Sequence, residues 1–128
     1  MERTIVSAVS ILSGESLDQY FVRNGVIPRL SVVEEQNLLL TIKDGKAGAS
    51  EARERIIHAH QNFVTAVAER YKPVEMELNE LIEAGNVGLE QSIDDYDCTR
   101  YERFYQYALL KIRWFIVQAI TRKVTSLR

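Results

Sequence analysis

The sequence predicts an all-α fold, a compact helical bundle of about five helices. Three observations predict it. Helix formers dominate, with only two prolines and six glycines in 128 residues. Apolar residues recur at three- and four-residue intervals along most of the chain. No stretch alternates apolar and polar residues as a half-buried strand would.

Five segments follow in order. Ser16 is placed to cap a short helix, LDQYFVRN, that ends at Gly25. Residues 1–15, with the apolar run TIVSAVSIL, read as an N-terminal packing segment ahead of a domain spanning 16–128. Ser31 opens the second segment, where S-V-V-E has the capping-box spacing with Glu34, and Gly45 supplies the stop. Ser50 is the expected cap of a third, EARERIIHAHQNFVTAVAERY. Its apolar face runs through Ile56, Ile57, Phe63, Val64, Val67 and Ala68, and Pro73 ends it. The fourth, LIEAGNVGLEQSIDDYD, begins between Glu77 and Glu80 and stops around Asp95 to Asp97. Its acids fall at the negative end of the helix dipole, a local conflict that points to a surface used by something else. The fifth runs from Arg100 to Ser126, with Thr99–Glu102 as a second capping box.

Two glycines, Gly85 and Gly88, lie within one turn of the fourth segment, and each costs a helix about 1 kcal/mol relative to alanine. Something must require them.

Net charge is only −2, but charge is segregated. Residues 73–99 hold eight acids and no base; from Arg100 onward there are seven bases and one acid, Glu102. An acidic block beside a basic one predicts two surfaces with different partners, or two solvated faces that attract each other. Cys98 is the only cysteine, so no internal disulfide forms and a reducing, cytoplasmic setting is expected. No apolar run approaches the ~18 residues of a membrane span. No phosphate-binding glycine loop or dinucleotide fingerprint occurs, and no Cys/His set has metal spacing. His58 and His60 are two apart on a helix, point to different sides, and read as surface or boundary residues. The carboxylates lie on an exposed-looking face. No catalytic residue, cofactor or metal is expected, and no enzyme.

The fifth segment splits into two faces. One carries Phe104, Ala108, Ile112, Phe115, Ile116 and Ala119, an ordinary core stripe. The other carries Tyr107, Leu110, Lys111, Trp114, Val117, Gln118 and Thr121, with Arg113 and Arg122 at its edges. Aromatics interleaved with cations and amides suit single-stranded nucleic acid: rings stack on bases, and cations neutralise phosphates. Packing of Trp114 and Tyr107 beneath the N-terminal helices is the competing reading.

NELIEAGNVGLEQSIDDYD, followed by FYQYALLKIRWFI and QAITR, resembles region 2 of primary-type bacterial sigma factors, the sigma-70 family. That family typically shows D-L-I-Q-E-G-N-I-G-L and then F-x-x-Y-A-x-x-x-I-R. EARERIIHAHQNFVTAVAERY looks like the helix before it, and Ser16 to Gly45 looks like the preceding region 1.2. The resemblance implies a factor that binds core RNA polymerase and recognises and melts the −10 promoter element. It implies that the fourth segment docks on a coiled coil of the polymerase's largest subunit through Glu80, Glu83, Asn86 and Glu90, with Gly85 and Gly88 permitting close packing. It implies that the fifth captures non-template bases, with Phe104 and Tyr107 at aromatic positions and Arg103 and Arg113 at basic ones. Arg100, Lys111, Trp114, Val117, Gln118, Thr121 and Arg122 complete that set. An anti-sigma protein is a further partner of this kind.

The chain departs from the pattern. An ungapped match puts Leu110 and Lys111 where primary factors carry a Trp-Trp pair, and Trp114 at a base-reading Gln. A register four residues longer restores Trp114, Gln118, Thr121 and Arg122 to family positions. His60 stands where the family often has Asn. The later domain that reads the −35 element is not found before Arg128, so a fragment or a reduced factor is expected. A polymerase-binding regulatory module that does not melt promoters is the alternative.

Overall fold

The computed structural model describes residues 26–73, 75–97 and 103–126. The expectations for residues 1–25, Thr99 and Arg100 lie outside them. The described residues form five helices and no strand: α1 (Val32–Asp44), α2 (Ala49–Ala59), α3 (Gln61–Tyr71), α4 (Leu78–Asp95) and α5 (Phe104–Ser126).

α1 begins and ends as its sequence predicts. The Ser31 hydroxyl accepts the Glu34 N–H at 3.1 Å. Gly45 takes a left-handed φ of 66° and returns its N–H to the Ile42 carbonyl. α2 departs from expectation. Its N-cap is Gly48, at φ 91°, rather than Ser50.

The single third helix of the sequence reading is two helices broken at His60. Periodicity continues across the break, so only side-chain chemistry could reveal it. His60 sits at φ −100°, ψ 3°, and its N–H is shared between the Ile56 and Ile57 carbonyls. Its ring Nδ1 lies 2.7 Å from the Ile56 carbonyl, and Gln61 Nε2 donates to the Ile57 carbonyl at 3.0 Å. Side chains thus compete with the backbone ladder for the last carbonyls of α2. The ladder resumes with Val64 N–H on the His60 carbonyl. Nor is His60 a surface residue. It is fully buried, edge-on to Phe104 at 5.1 Å.

The core lies among α3, α4 and α5. Phe63, Val64 and Val67 of α3, Leu81 and Leu89 of α4, and Phe104, Ala108, Ile112 and Ile116 of α5 are all fully buried. At about 1.5–3 kcal/mol per large apolar side chain, this cluster supplies the main drive for folding. α4 and α5 make the most extensive helix pairing.

That pairing explains the glycines. A Cβ on Gly88 would fall 2.5 Å from the Lys111 carbonyl oxygen, so α5 backbone already occupies the space. A Cβ on Gly85 would meet Val64 Cγ1 at 2.9 Å and Ile112 Cγ2 at 3.3 Å. Both are buried. The expectation that they admit an outside helix is therefore corrected: Gly88 admits the chain's own α5, and Gly85 admits α3 and α5.

Candidate protein and nucleic-acid interfaces on α4 and α5

α4 buries Leu81, Gly85, Gly88, Leu89, Ser92 and Ile93. Its outward row carries Glu80, Glu83, Val87, Glu90 and Asp94, all exposed. The Glu80 carboxylate reaches back to accept the Glu77 N–H at 3.1 Å, fixing the start of the helix. Glu83 and Glu90 stand where the sequence reading puts them, on the open face. Asn86 is half-buried, and its amide is committed internally. Gln61 Nε2 donates to its Oδ1 at 2.9 Å, and its Nδ2 donates to Gln61 Oε1 at 3.3 Å. The pair ties α4 to the start of α3.

The acids at the C-terminal end of α4 are paired within the chain. Asp94 bonds the Arg53 guanidinium of α2, and Asp95 lies 3.1 Å from Lys111 Nζ of α5. The dipole conflict is thereby met by internal cations, which corrects the inference of an outside partner at this end. The bond to Asp95 raises the Lys111 pKa, with desolvation opposing.

α5 divides at about Leu110. Its first turn is locked. The Arg103 guanidinium reaches both oxygens of Glu35, at 3.3 and 3.2 Å, and donates to the Leu30 carbonyl at 2.8 Å. Glu35 Oε2 also accepts the Phe104 N–H at 3.1 Å, and Gln106 Oε1 accepts the Arg103 N–H at 3.1 Å. A carboxylate of α1, 1 % exposed, therefore caps α5 and pairs with its leading arginine. Phe104 is sealed between His60 and Tyr96. Two expected base-contacting residues, Arg103 and Phe104, are thus corrected to structural ones. Tyr105, which sequence reasoning passed over, is buried against Phe63. Tyr107 is half-buried beside Tyr96.

Beyond this turn the expected face is open. Trp114 is 56 % exposed, and its ring meets Phe115 edge-on at 4.9 Å. Leu110, Val117, Gln118, Thr121 and Arg122 are exposed alongside it. Arg113 donates from Nε to the Tyr71 hydroxyl at 2.8 Å, which braces it against the end of α3. α5 carries Lys111, Arg113, Arg122 and Lys123 and no acid. The face therefore joins one large exposed π surface to a cationic, amide-bearing surround.

Burial holds His60 at about pKa 4, against an ordinary 6.5. The bond to the Ile56 carbonyl opposes that shift, and Arg103 adds to it. The ring is accordingly neutral, with Nδ1–H donating to Ile56 and Nε2 buried without a partner among the described residues. No group of three or more His, Cys, Asp or Glu is arranged to hold a metal among the described residues, and none of their helices is long and apolar enough to cross a membrane.

Residues 56–125 match the family described as Sigma-70 region 2. The chain belongs to the sigma-70 region 2 family. The match covers α3, α4 and nearly all of α5, the helices that carry both candidate faces. Curated relatives agree. RNA polymerase sigma factor SigA of Lactococcus lactis subsp. cremoris is 35 % identical over 107 residues, which is 84 % of this chain and 28 % of that protein. SigA of Clostridium acetobutylicum is 32 % identical over 126 residues, 98 % of this chain and 31 % of that protein. SigA of a Bacillus species is 33 % identical over 107 residues, 84 % and 26 % respectively. The chain thus spans between about a quarter and a third of the length of these relatives. The all-helical fold expected of a sigma-70 region 2 is the fold observed.

Proposed function

We propose that this domain acts in transcription initiation as a sigma-factor promoter-recognition module. It holds core RNA polymerase through the outward acidic row of α4 and captures unpaired non-template bases of a −10 element on the open part of α5. It works in the cytoplasm as a binding factor rather than an enzyme, and an anti-sigma protein is a fitting regulator. The polymerase contacts are Glu80, Glu83 and Glu90, offered to basic side chains of a coiled coil, with Asn86 serving mainly to hold the row in place. The base-facing set is Trp114, Val117, Gln118, Thr121 and Arg122, flanked by Lys111 and Arg113. Arg100 joins it from outside the described residues. Tyr107 lines the edge of the set.

One observation carries this reading. Trp114, the only tryptophan, stands 56 % exposed on a helix with four bases and no acid. A ring so placed gains ~1–3 kcal/mol per stacked base, and nearby cations neutralise the strand. With about three phosphates neutralised, affinity for a single-stranded −10-type oligonucleotide falls with salt at a log–log slope of about −2. Fluorescence anisotropy of a labelled oligonucleotide across a salt series tests this, and no detectable binding at low salt removes the nucleotide half of the proposal. For the protein half, Glu83→Arg is expected to weaken capture by core polymerase; unchanged capture counts against the α4 contact.

A further inference from the structure

A recess between residues 26–29 and α2 collects polar groups that neither candidate interface uses. Its volume is about 420 Å3. Arg29, Arg55, His58 and Asn62 line it, and Ile27 and Ala59 supply apolar wall. Among the described residues no carboxylate lines it, although the chain carries more acids than bases. Arg55, His58 and Ala59 lie three and four residues apart on α2, and so share one side of that helix. Most of these donors are idle. Among the described residues, Arg29, His58 and Asn62 make no hydrogen bond or ion pair. Arg55 has one ionic contact, Glu34 at 3.6 Å, with both side chains about half exposed. That is longer than the roughly 2.7–2.9 Å of a charge-assisted hydrogen bond, and exposed pairs of this kind contribute little. By contrast Arg53, Arg103 and Arg113 are each committed to a partner within the chain.

We propose that this recess binds a free nucleotide. The guanidiniums of Arg29 and Arg55 take the phosphate, whose oxygens match their planar forks. The apolar wall takes a face of the base, and the Asn62 amide, with both donors and an acceptor, takes its edge. His58 offers a ring N–H to the phosphate or the sugar. Size and lining select a small ligand over a strand. The volume falls within the roughly 300–1,000 Å3 of small-molecule sites. Single strands are held on stacked aromatic rings, and among the described residues no Phe, Tyr or Trp lines this recess. None of its lining residues belongs to α4 or α5, so the site does not depend on the proposed function.

Isothermal titration calorimetry of the whole chain tests this. The titrants are the common ribonucleoside 5′-monophosphates, their nucleosides, inorganic phosphate and a single-stranded oligonucleotide. Saturable binding of at least one monophosphate is expected, about tenfold or more tighter than its nucleoside or inorganic phosphate. Arg29→Gln and Arg55→Gln, both at exposed positions, should each weaken it about tenfold while circular dichroism and melting temperature stay unchanged. Glu34→Gln, which removes the competing carboxylate, should tighten it about threefold. The proposal is overturned if no monophosphate binds, or if binding survives both arginine changes. Inorganic phosphate binding as tightly as any nucleotide would mark an adventitious ion only and overturn it as well. Arg55-dependent binding of the oligonucleotide without binding of any mononucleotide would assign the phosphate to a strand and overturn it too.

Discussion

The start and the middle of α5 are chemically alike and structurally opposite. Each joins an aromatic ring to an arginine: Arg103 with Phe104 at the start, Trp114 with Arg113 in the middle. At the start, a buried carboxylate from α1 takes both the guanidinium and the first N–H, and the ring is sealed in the core. In the middle a tyrosine hydroxyl braces the arginine, and the ring stays in solvent. Side-chain type is therefore a poor guide to which residues meet a ligand. What decides is whether an elsewhere-encoded partner, here Glu35, has already claimed them.

The sharpest way to break the contrast is Glu35→Ala. Removing one member of a buried, hydrogen-bonded pair costs about 3–5 kcal/mol, and α5 loses its cap. Urea unfolding is expected to show a loss of about 4 kcal/mol. A loss below about 1 kcal/mol would mean that the locked end is no different from the open one.

His60, packed beside the locked end, sharpens it next. Its folded pKa of about 4 lies below the unfolded value near 6.5. In the window between them the unfolded chain binds more protons, so stability falls as pH drops from about 6.5 toward 4. At roughly 1.4 kcal/mol per unit the loss reaches about 3 kcal/mol. His60→Phe should flatten the pH profile of the melting temperature over this window while keeping the ring against Phe104. A wild-type profile already flat there would refute the assignment.

Gly88→Ala separates internal packing from partner docking. The added methyl would meet α5 backbone, so a stability loss of about 2–3 kcal/mol is expected. Gly85→Ala, which meets only side chains, should cost less. Normal stability of Gly88→Ala, together with lost polymerase binding, would return the glycine to the interface.

The smallest effect on folding is expected at the open end. Trp114→Ala should change stability by under about 0.5 kcal/mol, as exposed substitutions do. It should weaken single-strand binding by ~1–3 kcal/mol. A large stability loss would show that the ring packs rather than reads.

The helices were legible wherever the signal is local. Ser31 with Glu34, Gly45 as a stop, and the opposed faces of α5 could all be read from spacing. The break at His60 could not, because it depends on a ring competing for a carbonyl without disturbing the apolar period. The Glu35–Arg103 pair could not either, since 68 residues separate its members. The glycines were noticed, but their spacing alone does not say whose helix approaches. Gly85, Gly88 and Ser92 share the buried face of α4, and that row of small residues was the available clue to an internal neighbour.

Gly88 against the Lys111 carbonyl has a mechanical corollary. With no side chain as a cushion at the crossing point, the two longest helices behave as a riveted plate, and neither can slide without the other. A protein gripping the acidic edge would steer the tryptophan-bearing edge as a lever steers its far arm, passing on position rather than shape change.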